Sequence, residues 1–242
     1  MKRMLLASIM FTAAACGGGK SYDKGMVNST QARAAIDQVG LVSASMSAMN
    51  GSDAADAVMS MTAASQGIVA PAAPGRLQGL IPDFSTKTGG ILSAVSGTAE
   101  CTATSCTFDN YGDATAGWLI NGTISNSGGT YSFDLSYDIT SFGSTLKWNI
   151  DGSLTVTATS IDGQINSSGE SSFEGEGGAG SATIDWDVSV DYRDVVLDPN
   201  GCPTGGSVYA TTSYEVSSSQ GGSGSYAVEG TATFGPACGQ VQ

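Results

Sequence analysis

Cysteine and carboxylate are the side chains in this sequence whose types and spacing could do chemistry. The 242 residues hold five cysteines, 22 aspartates and glutamates, and no histidine. Without histidine neither a Ser-His-Asp nor a Cys-His nucleophile can be assembled, and an ordinary zinc site lacks its commonest nitrogen ligand. The cysteines stand at 16, 101, 106, 202 and 238, a set with no Cys-x-x-Cys pair and no zinc-ligand spacing. Asp185, Asp187 and Asp191 supply the hard oxygen that calcium prefers, but no calcium-loop motif accompanies them. On alternate positions of an apolar run they read, with Asp134, Asp138, Asp151, Glu215 and Glu229, as a solvated strand face. A glycosidase needs two carboxylates facing each other across a cleft, which no spacing here establishes. Gly175-Glu-Gly-Gly-Ala-Gly180 lacks the Lys-Ser/Thr ending of a phosphate loop. No catalytic residue, metal ligand or cofactor-binding residue is therefore assigned, and the sequence reads as non-enzymatic.

The first fifteen residues have the pattern of an export signal. Lys2 and Arg3 precede an apolar stretch from Met4 to Thr12, well short of the roughly 20 residues a membrane span needs. Ala13-Ala14-Ala15-Cys16 follows, and it resembles the lipobox of bacterial lipoproteins. The resemblance covers only these sixteen residues and departs at Ala13, where the family most often has Leu. It implies cleavage before Cys16, a diacylglycerol thioether on its sulfur, and further acylation, palmitate being the expected chain type. Each buried methylene of such chains contributes about 0.8 kcal/mol, so two or more make a stable anchor. The family sorts chains with Asp after the cysteine to the inner membrane; Gly17 here implies the outer membrane. Ala13-x-Ala15 also suits the ordinary signal peptidase, which would release a soluble chain with a free thiol. Residues 16–27, opening with Gly17-Gly18-Gly19-Lys20-Ser21, read as a flexible leash.

Export changes the meaning of the other four cysteines. In an oxidising compartment Cys101, Cys106, Cys202 and Cys238 point to two disulfides, with three possible connectivities. The midpoint of Cys202 and Cys238 falls in Ser219-Gln-Gly-Gly-Ser223, a turn between the alternating runs Ser207 to Val216 and Ser225 to Phe234. A Cys202–Cys238 bridge would close the base of that hairpin, while Cys101–Cys106 would staple a tight loop. Removing Lys2 and Arg3 with the signal leaves seven basic residues against 22 acidic ones. Nucleic acid is excluded as a partner, since phosphate binding needs a basic patch. Anionic headgroups would repel the chain, so contact with the membrane must come from the N-terminal lipid.

These groups need elements to position them. Residues 28–66 are rich in Ala, Ser and Met, without proline or aromatics, and predict a helix pair. Asn28 can cap, and Ile36, Val39, Met46 and Met49 recur at helical spacing; Asn50-Gly51 separates them from Ala54, Ala57, Val58 and Met61. Residues 67–90, with Pro71, Pro74 and Pro82, read as a linker. From 91 to 242 the period changes to two. Tyr131 to Ile139, Leu146 to Val156 and Ile184 to Tyr192 alternate apolar with polar, as antiparallel strands with one dry face do. Weaker runs occur near Ile91–Glu100, Trp118–Ile124 and Gly163–Phe173, and with the last hairpin they bring the count to eight or nine strands. Turn signals at Asn126–Gly129, Ser141–Ser144, Asp162-Gly163, Glu174–Gly180 and Asp198–Gly201 imply an up-and-down meander. Gly122, Gly152 and Gly230 fall on the apolar face.

The expected fold is α+β: an Ala/Met-rich helix pair packed in the concave face of a large curved antiparallel meander, as one domain. Ile36, Val39, Met46 and Met61 are the residues expected to cover the sheet. The alternative is a closed β-barrel. A transmembrane barrel fits less well, given the helical opening, the lipid tether and the polar C-terminus. Two functions follow: a structural or interaction role in the cell envelope, or a carrier of a lipid or other apolar ligand in the sheet's concave face.

Overall fold

The computed structural model describes residues 23–28, 30, 32, 33, 36, 69, 70 and 96–242, apart from 103, 116, 142, 143, 175–179 and 239. The expected signal peptide (1–15), the lipidation site Cys16 and most of 28–66 and 67–90 lie outside them. Nine strands follow one another from residue 96: β4 (Ser96–Cys101), β5 (Ser105–Asp113), β6 (Trp118–Ser127), β7 (Thr130–Ser141), β8 (Ser144–Val156), β9 (Ser160–Glu174), β10 (Ser181–Leu197), β11 (Pro203–Ser218) and β12 (Gly222–Thr233). Each pairs antiparallel with the next, the meander that short turn signals imply. Ahead of them in the chain come three short strands, β1 (Asp23–Lys24), β2 (Met26–Val27) and β3 (Val69–Ala70). β1 adds to β12 in parallel and makes the sheet ten-stranded and mixed, while β2 and β3 form a small antiparallel pair beside β12. Residues 23–24 and 26–27, read as the end of the leash, are thus strand.

The helix pair on the sheet is not what the structure shows. Among the described residues helical backbone occurs only at Thr30, Ala32, Arg33 and Ile36, and the described fold is nearly all sheet. Asn28 does cap, its Oδ1 accepting from the Thr30 N–H at 3.1 Å and its carbonyl accepting from Ala32 N at 3.0 Å. Composition rich in Ala, Ser and Met permits helix without specifying what it packs on, so it does not determine this part of the architecture. Ala32 and Ile36 are buried in the core, whereas Val39, Met46 and Met61 lie outside the described residues. The closed barrel is not described either: the sheet runs from β1 to β4 and these two strands do not pair.

Period-two patterning decides which side of the sheet is dry. Trp118, Ile120, Ile124, Phe133, Leu135, Tyr137, Trp148, Ile150, Leu154, Val188, Val190 and Val208 all point to one face and are buried, and each such side chain contributes roughly 1.5–3 kcal/mol. Large residues meet small ones across the ladder: Leu135 faces Gly122, Phe133 faces Gly152, and Leu154 faces Gly163. One row crosses six strands as Tyr137, Trp148, Gly169, Trp186, Tyr214 and Tyr226. Gly169 is the gap that lets two indoles share this row, because a Cβ there would collide with the Trp186 ring and the Lys147 carbonyl. Asp162-Gly163 is not a turn but lies inside β9; the turn precedes it, where Thr157 N–H donates to the Ser160 carbonyl at 2.9 Å. Gly163 has φ +128°, which brings the backbones of β8 and β9 close beneath Leu154.

Candidate functional site

Three groupings of side chains stand out, and the meander's register positions each of them. The first is the outer face, where the alternation leaves mostly polar residues, with Leu119 beside Asp138 and Ala227 beside Ser213 among the apolar exceptions. One row runs Thr123, Asp134, Asp151, Asn166, Ser189, Thr211 and Glu229 from β6 to β12. A second runs Asp138, Lys147, Glu170, Asp185 and Glu215 from β7 to β11. Asp134, Asp138, Asp151, Asp185, Asp187 and Glu215 are exposed, with Asp191 and Glu229 half-buried, so every carboxylate expected on the wet face lies there. Amides tie the rows: Asn166 Nδ2 donates to Asp151 Oδ2 at 3.0 Å, and Gln164 Nε2 donates to Asn166 Oδ1 at 2.9 Å and Ser189 Oγ at 2.8 Å. Towards β12, Arg193 Nε donates to Asp191 Oδ2 at 2.6 Å and its guanidinium lies 4.6 Å from the Tyr209 ring centre. Tyr209 OH in turn donates to Glu229 Oε2 at 2.5 Å. Arg193 and Tyr209 carried no recognisable signal in the sequence, because their pairing depends on register alone.

The second grouping is on the dry face. Trp148 Nε1 donates to the buried Ser167 Oγ at 2.7 Å, so a serine in the core is satisfied by an indole. Trp186 Nε1, Thr212 Oγ1 and Tyr226 OH are buried atoms that have no hydrogen-bond partner among the described residues. Trp186 and Tyr226 both flank Tyr214 in the aromatic row, and Thr212 sits two residues along β11. Burial raises the Tyr214 hydroxyl above its ordinary range and raises that of Tyr226 as well, with the Asp23 charge as a second cause.

The cysteines form the third. Cys101 and Cys106 are bonded and are direct partners at the end of the β4–β5 hairpin, so the expected loop staple closes a hairpin whose second strand the sequence did not reveal. Cys202 and Cys238 are bonded beyond the β11–β12 ladder, at the hairpin's base as turn symmetry predicts. Asp198 Oδ1 accepts from the backbone N–H of Asn200 and of Cys202, each at 2.8 Å, and folds the Asp198-Pro-Asn-Gly201 turn. The Cys202 N–H bond chiefly holds the Asp198 carboxyl below the usual range; the Arg33 charge adds a little in the same direction. Arg33 Nη1 donates to Cys202 Sγ at 2.7 Å and lies 3.9 Å from Cys238 Sγ.

Among the described residues no group of three or more histidines, cysteines, aspartates or glutamates comes together to hold a metal ion. No helix among them is long and apolar enough to cross a membrane. No known protein family, curated protein or solved structure matches the chain.

Proposed function

We propose that the protein is a non-enzymatic, lipid-anchored component of the outer membrane whose sheet acts as an interaction surface in the cell envelope. The observation that carries this reading is the outer face: ordered rows of Ser, Thr, Asn and carboxylate, held by amide bridges and backed by a stiff core. Such a face favours an envelope protein with a complementary basic patch, since matched charge steers and orients a partner. The anchor rests on Cys16 and the lipobox resemblance. Cys16→Ser should move the chain out of the membrane fraction; a wild-type chain that is soluble with an underivatised Cys16 sinks the address. Cross-linking of the full-length chain in intact envelopes tests the surface: Asp151→Lys, Asp187→Lys and Glu215→Lys together should abolish a specific adduct without unfolding the sheet, as read by far-ultraviolet circular dichroism.

A second reading is kept by one observation. Trp186, Thr212 and Tyr226 place donors that have no partner among the described residues in an aromatic surrounding, as a carrier of an apolar molecule with one acceptor end would. Native mass spectrometry of the intact protein from an envelope extract separates the two, a co-purifying small lipid favouring the carrier.

A further inference from the structure

We infer that the Cys202–Cys238 bridge is a reducible site, built so that attack at Cys238 expels Cys202 as a thiolate held by Arg33. The two sulfurs of this bond live in different surroundings. Cys202 is 2% exposed, whereas Cys238 belongs to an exposed turn near the C-terminus. An incoming thiolate therefore reaches the Cys238 sulfur first. Thiol–disulfide exchange places the departing electron pair on the opposite sulfur, and the rate rises as that leaving thiolate is stabilised. Here the leaving sulfur has a guanidinium nitrogen 2.7 Å away, and a fixed cation is what lowers a thiol's pKa. The Asp198 carboxylate opposes this, since its Oδ1 accepts the Cys202 N–H at 2.8 Å. The closer charge is Arg33, which bonds to the sulfur itself.

The co-reactant is a dithiol, or two molecules of a monothiol such as glutathione. Its first thiolate bonds to Cys238 Sγ, the S–S bond breaks, and Cys202 departs with the electron pair. The second thiolate then attacks the first sulfur of the reductant, releasing Cys238 as a thiolate and leaving the reductant oxidised to a disulfide. Two electrons pass, and both cysteines take up protons from water to the extent their pKa values allow.

Reduction would loosen a junction and leave the sheet intact. The bond joins the Asp198–Cys202 turn to the C-terminal return, and Arg33, next to the core residue Ala32, hydrogen-bonds to its Cys202 sulfur. That return otherwise holds by a few contacts: Phe234 bridges Val241, and Gly235 N–H donates to the Gln240 carbonyl at 2.8 Å. The nine-strand meander does not need the bridge for its pairing.

Limiting reduced glutathione added to the intact oxidised protein, followed by alkylation and peptide mapping, is the test. The adduct should sit on Cys238 and the alkylated thiol on Cys202. Arg33→Gln should slow opening of this bridge by about threefold to tenfold, as a less stabilised leaving group requires, with Cys101–Cys106 of the same molecule as the internal standard. Arg33→Lys should restore part of the rate. An adduct found first on Cys202 would overturn the proposal, as would an Arg33→Gln chain with an unchanged ratio of the two rates.

Discussion

On one side of β8, Leu146, Trp148, Ile150 and Leu154 are at most 5% exposed, while Lys147, Asn149, Asp151 and Thr155 between them stand in solvent. The same backbone therefore carries two kinds of surface under opposite constraints. On the dry face each residue is set by the volume of its cross-strand neighbours, so Trp requires Gly and Leu requires Gly. On the wet face the partners are hydroxyls, amides and carboxylates that water can replace. Register belongs to the first face, because a one-residue slip would exchange the two faces along the whole strand. That division leaves the outer residues open to selection for binding.

The largest effect should come from filling the gap between the indoles. Gly169→Val places a branched side chain where the Trp186 ring and the Lys147 carbonyl already lie. Overpacking of this kind costs about 3 kcal/mol, or more where backbone must move. The urea midpoint should fall accordingly, with near-ultraviolet circular dichroism reporting the displaced indole. A near-silent Gly169→Val would show that the dry face is not packed to its limit, and the contrast between faces would fail.

Ser167→Ala tests the same face at smaller amplitude. It removes the oxygen that accepts the Trp148 indole proton at a buried position, at a cost of about 1–3 kcal/mol. Ser167→Thr keeps the acceptor and separates lost hydrogen bonding from changed volume.

Legibility followed the same division. Tyr131 to Ile139, Leu146 to Val156 and Ile184 to Tyr192 announced their strands because alternation is strict there. β5 was missed because only Cys106 and Phe108 keep the alternation before a register shift between Phe108 and Tyr111. Asp162-Gly163 has turn chemistry but serves inside a strand, since glycine answers a close backbone approach as well as a turn. Composition alone does not place a helix pair on the sheet, because Ala, Ser and Met favour helix without naming its partner. Both disulfides could be paired from symmetry because hairpins make sequence distance and spatial distance agree. Arg33 could not be placed at Cys202, being 169 residues away with no pattern to link them.

Acid should find the rim of the sheet before its core. The Asp198 carboxyl is held below its ordinary range mainly by the Cys202 N–H, so the folded state binds that proton less readily than the unfolded chain does. Its contribution is present above the unfolded carboxylate pKa and is lost as pH falls through the depressed folded value. Asp198→Asn should therefore flatten the acid limb of the stability curve below about pH 4, read by denaturant titration at several pH values.

The smallest effect separates the faces most cleanly, because it compares neighbours. Asp134 and Asp151 are direct partners on the wet face, two like charges side by side. Asp134→Asn keeps size and hydrogen bonding and removes one charge, so stability should rise by about 0.5 kcal/mol or less, and the gain should shrink with added salt. The next residue, Leu135, is 2% exposed on the dry face. Leu135→Asn should cost about 3 kcal/mol, by losing apolar burial and placing an amide where nothing bonds it, and salt should not change that figure. Equal responses at 134 and 135 would mean that something covers the outer face as the core covers the inner one. The polar rows would then be an interior, and the interaction surface would have to be sought elsewhere on the molecule.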